Sequence, residues 1–144
     1  MGIDFGKVIS LKKVMVDKED LEMRERKLSS PMLTDRSLIP TLYEVFKDFV
    51  KESGGKPLQA HQRRKFVFIA IYLYFPKALV GGKMSKNLRN DISKAIPDVK
   101  SHSVISTDIL TSMFMYQNYK DFRKDVDGMF ERIVSHLRSM SVLP

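Results

Sequence analysis

The sequence predicts an all-α fold: a compact bundle of about five helices preceded by an N-terminal arm. Three observations predict it. Apolar residues recur at three- and four-residue spacing through most of the chain after residue 36. Glycine pairs and prolines (Gly54 and Gly55, Pro76, Gly81 and Gly82, Pro97) fall between those stretches, where a helix has to stop. The 144 residues are 43% hydrophobic and 29% charged, which describes one ordinary globular domain with enough chain to build a core.

Residues 1–36 form the arm, flexible or partly extended. Residues 7–16 (KVISLKKVMV) are partly β-like, whereas residues 17–27 (DKEDLEMRERK) are rich in helix formers. Ser29, Ser30, Pro31, Thr34 and Asp35 then mark a linker. Such an arm either frays or pairs with a second subunit in a homodimer. Residues 37–144 read as a single helical domain. Leu38, Leu42, Val45, Phe46, Phe49 and Val50 trace one face of a first helix, stopped by Gly54 and Gly55. A second runs from about Leu58 to Phe75, between Pro57 and Pro76. Residues 66–75 (FVFIAIYLYF) also permit a strand, but the polar lead-in QAHQRRK and the total length favour a helix buried on all sides.

Ser85 can cap a short helix with Leu88, Ile92 and Ile96 on one face, ended by Pro97. Ser101 or Ser103 can cap the next, which reaches about Gln117. Asn118 offers a cap for the last helix, whose stripe runs through Tyr119, Phe122, Val126, Met129, Phe130, Ile133, Val134 and Leu137. Arg123 and Asp127 form an i,i+4 pair on its outer face. Gly128 costs roughly 1 kcal/mol in mid-helix and marks a place where another helix crosses closely.

All of the net charge lies in the middle third. Residues 51–102 hold eleven Lys and Arg against three Asp and Glu, while residues 1–50 hold nine of each sign and residues 103–144 five of each. A neutral–positive–neutral chain points to an anionic partner met by one face. The absence of cysteine excludes disulfides and suits a reducing cytoplasm. His61, His102 and His136 are too scattered for a metal site, and no cofactor is expected. The ten apolar residues 66–75 fall short of the roughly 20 that span a bilayer, so no membrane partner is expected either.

Two basic clusters carry the charge. Arg63, Arg64 and Lys65 precede the apolar run, and Lys83, Lys86, Arg89 and Lys94 surround the start of the Ser85-capped helix. Lys83 follows Gly81 and Gly82 beside that helix N-terminus, where free N–H groups and the dipole favour a phosphate. The GGK run is not a nucleotide-hydrolase phosphate loop.

Residues 88–110 (LRNDISKAIPDVKSHSVISTDIL) can supply two short helices joined by a turn, with Ile92, Ile96, Val99 and Ile105 inside the angle. The segment resembles the helix-turn-helix superfamily of DNA-binding proteins over about twenty residues. The resemblance implies a recognition helix beginning at residues 101–106 (SHSVIS), with Ser101, His102, Ser103 and Ser106 near base edges and Lys100 on the backbone. Its turn holds Pro97 and Asp98 where the family usually places glycine. The recognition helix contains no Lys or Arg, and its one charge is Asp108.

The expected function is therefore that of a non-enzymatic protein, of the transcriptional-regulator kind, that binds nucleic acid (DNA before RNA) mainly through phosphates. The alternative is an adaptor whose basic face meets an acidic protein partner. Tyr72, Tyr74, Phe114, Tyr116, Tyr119 and Phe122 read as packing residues, and no nucleophile or paired acid and base stands out.

Overall fold

The computed structural model describes residues 5–97, 99 and 101–144, and it is helical throughout the elements it defines. The chain divides into two units, Met1–Ser30 and Pro31–Pro144. The first holds helix α1, Gly6–Leu28, which buries none of its residues. Residues 7–16, partly β-like in sequence, are helical here. Lys, Leu and Met among them are good helix formers, and the charged run that follows continues the same hydrogen-bonded ladder. Arg26 and Lys27 in the last turn complement the helix dipole.

The second unit begins on a short tie to its own core, where the N–H groups of Met32 and Leu33 donate to the Leu73 carbonyl at 2.9 and 3.0 Å. Asp35 then caps a single 3-10 turn, Arg36–Leu38, by accepting from the Ser37 amide and hydroxyl. Both hydrogen bonds favour the ionised form and hold the Asp35 carboxyl below its usual range. Helix α2, Ile39–Glu52, follows with Pro40 in its first turn and buries Ile39, Leu42, Tyr43, Phe46 and Val50. Gly54 adopts φ 77° just beyond its end, a left-handed position that suits glycine.

Helix α3, Ala60–Tyr74, is the axis of the fold, packed against the other long helices of this unit. Residues 66–71 are apolar and buried without interruption, so the helix is apolar around its whole circumference there. Tyr43, Phe46 and Phe66 pack as an aromatic cluster between α2 and α3, with ring centroids 5.1–5.4 Å apart. The helix stops before Pro76, and a 3-10 turn, Pro76–Val80, carries the chain to Gly81 at φ 96°. Gly82 has no room for a side chain, since a Cβ there would lie 2.7 Å from Lys77 Cγ and 2.8 Å from its carbonyl oxygen.

Helix α4, Lys86–Ala95, starts where Ser85 Oγ accepts from the Leu88 amide, and it buries Leu88 and Ile92. Helix α5, His102–Asn118, is capped by Ser101, whose Oγ accepts from the Ser103 amide. Helix α6, Lys120–Ser139, buries Phe122, Val126, Met129, Ile133, Val134 and Leu137 of the expected stripe, while Phe130 is half-buried and Tyr119 is exposed. Its first turn differs from expectation. Tyr119 occupies the cap position without a side-chain bond, and Asn118 instead donates to the Phe114 carbonyl at the end of α5. Arg123 and Asp127 do not pair with each other either. Arg123 donates to the carbonyls of Tyr116 and Gln117, and Asp127 accepts from the Tyr116 hydroxyl, which closes the α5–α6 corner. Gly128 does mark a close crossing, because a Cβ there would lie 3.3 Å from Phe49 Cζ on α2.

Candidate nucleic-acid interface

Interior packing decides which cations remain available. On α3, Arg63, Arg64 and Lys65 sit where the helix enters the core. Arg63 donates from Nε and Nη2 to the two oxygens of Asp108 at 2.6 and 3.1 Å, and Arg64 Nε lies 3.5 Å from the same carboxylate. Asp108 is buried, its side chain only 2% exposed. The hydrogen bond and charge of Asp108 hold the Arg63 guanidinium above its ordinary range. Lys65 is itself buried, and its Nζ reaches Asp125 on α6 at 2.6 Å while lying over the Phe122 ring. This cluster is spent on joining α3 to α5 and α6.

Along α4 the picture reverses. Lys86 and Lys94 are exposed, and Lys83 is exposed on the loop before the helix. Arg89 is half-buried and donates from Nη1 to Ser106 Oγ on α5 at 3.2 Å, so the two basic-helix and recognition-helix candidates do touch. Asp91, the one carboxylate on α4, is 3.1 Å from Arg36 Nε. Lys83, Arg89 and Ser106 line one cavity, whereas Lys94 lines another together with Arg36 and Asp91. Ser101 and Ser103 are exposed at the start of α5, their hydroxyls 2.8 Å apart, and His102 opens the helix. Lys100 and Asp98 lie outside the described residues.

Helices α4 and α5 are in contact, with residues 96–101 between them, a longer connection than the three or four residues of a tight helix-turn-helix. Asp108, the acid that counts against nucleic acid on this helix, faces inward and is neutralised by Arg63 and Arg64. The described outer residues of α5 therefore carry no charge of either sign.

Phe114 on α5 departs from the sequence expectation of packing. Leu110 and Phe114, one turn apart, are 66% and 56% exposed, and Tyr119 just beyond is 53% exposed. Phe114 and Tyr119 meet edge to face at 6.1 Å. Tyr72 is also exposed, while Tyr74 and Phe122 are buried and Tyr116 stacks on Phe68 at 4.8 Å. Apolar residues lie all around α5, but the core fully buries the line through Ile105, Ile109 and Ser112, with Met113, Met115 and Tyr116 half-buried beside it. The signal that could have exposed this was Asp108 itself. A lone acid on an apolar helical line implies a buried counter-charge, which fixes the inward face and leaves Leu110 and Phe114 outside.

Compared with known proteins, the chain matches no family model, no curated protein and no solved structure. Among the described residues, no helix is long and apolar enough to cross a membrane.

Proposed function

We propose that this protein binds nucleic acid, DNA in the first instance, through phosphate contacts made by Lys83, Lys86, Arg89 and Lys94. One observation carries the reading. These cations share the α4 region with a single described carboxylate, and that carboxylate is already paired with Arg36. Ser101 and Ser103, exposed at the start of α5, can add contacts to phosphate or base edges. The binding is non-enzymatic and reads sequence only modestly, because α5 offers no Lys or Arg for guanine.

The test is a salt titration with a labelled duplex. Four phosphate contacts give a log–log slope of about −3.6, so affinity falls roughly a hundredfold between about 50 and 200 mM salt. The double variant Lys86→Glu, Lys94→Glu should weaken every duplex alike and flatten the slope by about two. Affinity that is flat against salt would remove the reading.

Exposed Leu110 and Phe114 favour a second reading, an adaptor that docks a protein partner through α5 beside the basic face. Here Phe114→Glu, at a position outside the cavity lined by Lys83 and Arg89, would abolish the protein complex, whereas under the first reading it leaves the salt slope unaltered.

A further inference from the structure

We propose that the cavity between loop 81–84 and the facing sides of α4 and α5 is a seat for one phosphate group. Its volume is about 250 Å³, and Lys83, Arg89 and Ser106 supply its polar wall. Ala78, Met84 and Ile109 supply an apolar one.

Arg89 carries the argument. Its Nη1 donates to Ser106 Oγ, while its Nε is buried and meets no acceptor among the described residues. A guanidinium N–H withdrawn from water without a partner is costly, and an anion held beside the guanidinium offsets that cost through its charge. No Asp or Glu lines this cavity to serve in its place. Elsewhere the fold places an acid beside its half-buried arginines: Asp108 accepts from Arg63 and lies 3.5 Å from Arg64, whose Nε is also buried without a hydrogen bond. Arg89 is the contrast: its partner is a hydroxyl. Because Ser106 accepts from Arg89, the proton of its own hydroxyl is left to donate to a ligand oxygen.

The shape of the donor set selects phosphate over carboxylate. Lys83 comes from the loop, Arg89 from α4 and Ser106 from α5. Donors converging from three elements each find an oxygen on a tetrahedral anion, whereas a planar carboxylate presents two. The volume lies below the roughly 300–1,000 Å³ of drug-sized sites, which limits the ligand to a phosphate and the first carbons attached to it. The group recognised is the same in free phosphate, in a nucleotide and in a strand, so the seat does not depend on the nucleic-acid reading above.

Inorganic phosphate titrated into the full chain at constant ionic strength, with the arginine Nε–H resonances followed by NMR, tests the seat. One saturable shift is expected at Arg89. Arg89→Gln and Lys83→Gln should each lower phosphate affinity at least about tenfold. Lys83 is exposed, so its variant keeps the fold and keeps the test decisive if Arg89→Gln does not fold. An Arg89 resonance that phosphate does not move, or unchanged affinity in Lys83→Gln, overturns the proposal. So does acetate binding as tightly as phosphate. Thymidine 5′-monophosphate and an unphosphorylated dinucleotide separate the sources: preference for the first assigns the seat to free or terminal phosphate, and parity assigns it to a strand. Phosphate binding without duplex affinity keeps the seat and removes only the nucleic-acid function.

Discussion

At the start of α3 and along α4 the chain carries two basic clusters that look alike in sequence and meet opposite environments. Arg63, Arg64 and Lys65 face Asp108 and Asp125 across the core. Lys83, Lys86, Arg89 and Lys94 face one carboxylate, Asp91, which Arg36 already holds. The difference lies in what the fold places opposite each run. Partly buried ion pairs join helices whose residues are 45 and 60 positions apart in the chain. An open cluster keeps its field in solvent, where it can attract an anion. A charge run acquires a role only once its counter-charges are located.

The sharpest way to break this comparison is to remove Asp108. Asp108→Ala leaves Arg63 and Arg64 without their shared acid in a half-buried setting. Breaking a buried pair from one side costs about 3 kcal/mol or more, a drop of roughly 10 °C in the thermal midpoint measured by calorimetry. If the midpoint held and duplex affinity rose instead, Arg63 and Arg64 would belong with the open cluster.

The pair of Lys65 and Asp125 should give a smaller, graded effect. Lys65 is 6% exposed at its side chain, but Asp125 is 48% exposed, so water can reach the carboxylate end. Asp125→Asn is expected to cost roughly 1–2 kcal/mol in chemical denaturation. Lys65→Met, which keeps the apolar stem beside Phe122, should stay within about 1 kcal/mol of the parent. A large loss in Lys65→Met would show that the ammonium itself is needed.

The far end of α3 separates buried from open groups by pH. Burial, and secondarily the negative charges of Asp35 and Asp91, push the Tyr74 hydroxyl above its ordinary value of 10.0. It donates to the Asp35 carbonyl at 2.6 Å. A raised folded-state pKa means the protonated form is favoured in the fold. Its contribution is therefore complete below pH 10 and is lost as pH rises toward the folded value. Tyr74→Phe should flatten that alkaline decline while costing about 1 kcal/mol at neutral pH, both read from denaturation curves. An alkaline decline that persists in Tyr74→Phe would assign it to the lysines of the open face.

Much of the fold was legible because its punctuation is local. Gly54 and Gly55, Pro76, Ser85 and Pro97 lie at or just beyond helix ends, and Gly128 sits against Phe49. The fate of the basic residues was not local. Nothing in the run Arg63, Arg64, Lys65 reveals that Asp108 and Asp125 will stand opposite. Nor does an apolar spacing show which line of α5 the core will take, so Phe114 reads as interior when it is exposed. The cavity at Arg89 was half legible: Gly81, Gly82 and Lys83 suggested an anion from sequence, but Ser106 enters only through the α4–α5 contact.

The smallest expected change in stability belongs to the open cluster, and it is the one that completes the comparison. Lys86 and Lys94 are exposed and make no ion pair among the described residues. Reversing both to Glu removes no buried contact, so the midpoint of unfolding should stay within about 0.5 kcal/mol of the parent. The same variant should lose more than about tenfold in duplex affinity at low salt, because two attractive contacts become repulsive. Asp108→Ala is expected to do the opposite, lowering stability while the folded fraction binds DNA as before. If Lys86→Glu, Lys94→Glu destabilises the fold instead, α4 is cemented by its charges as α3 is. The two clusters would then differ in exposure but not in role, and the basic face would no longer point to an anionic partner.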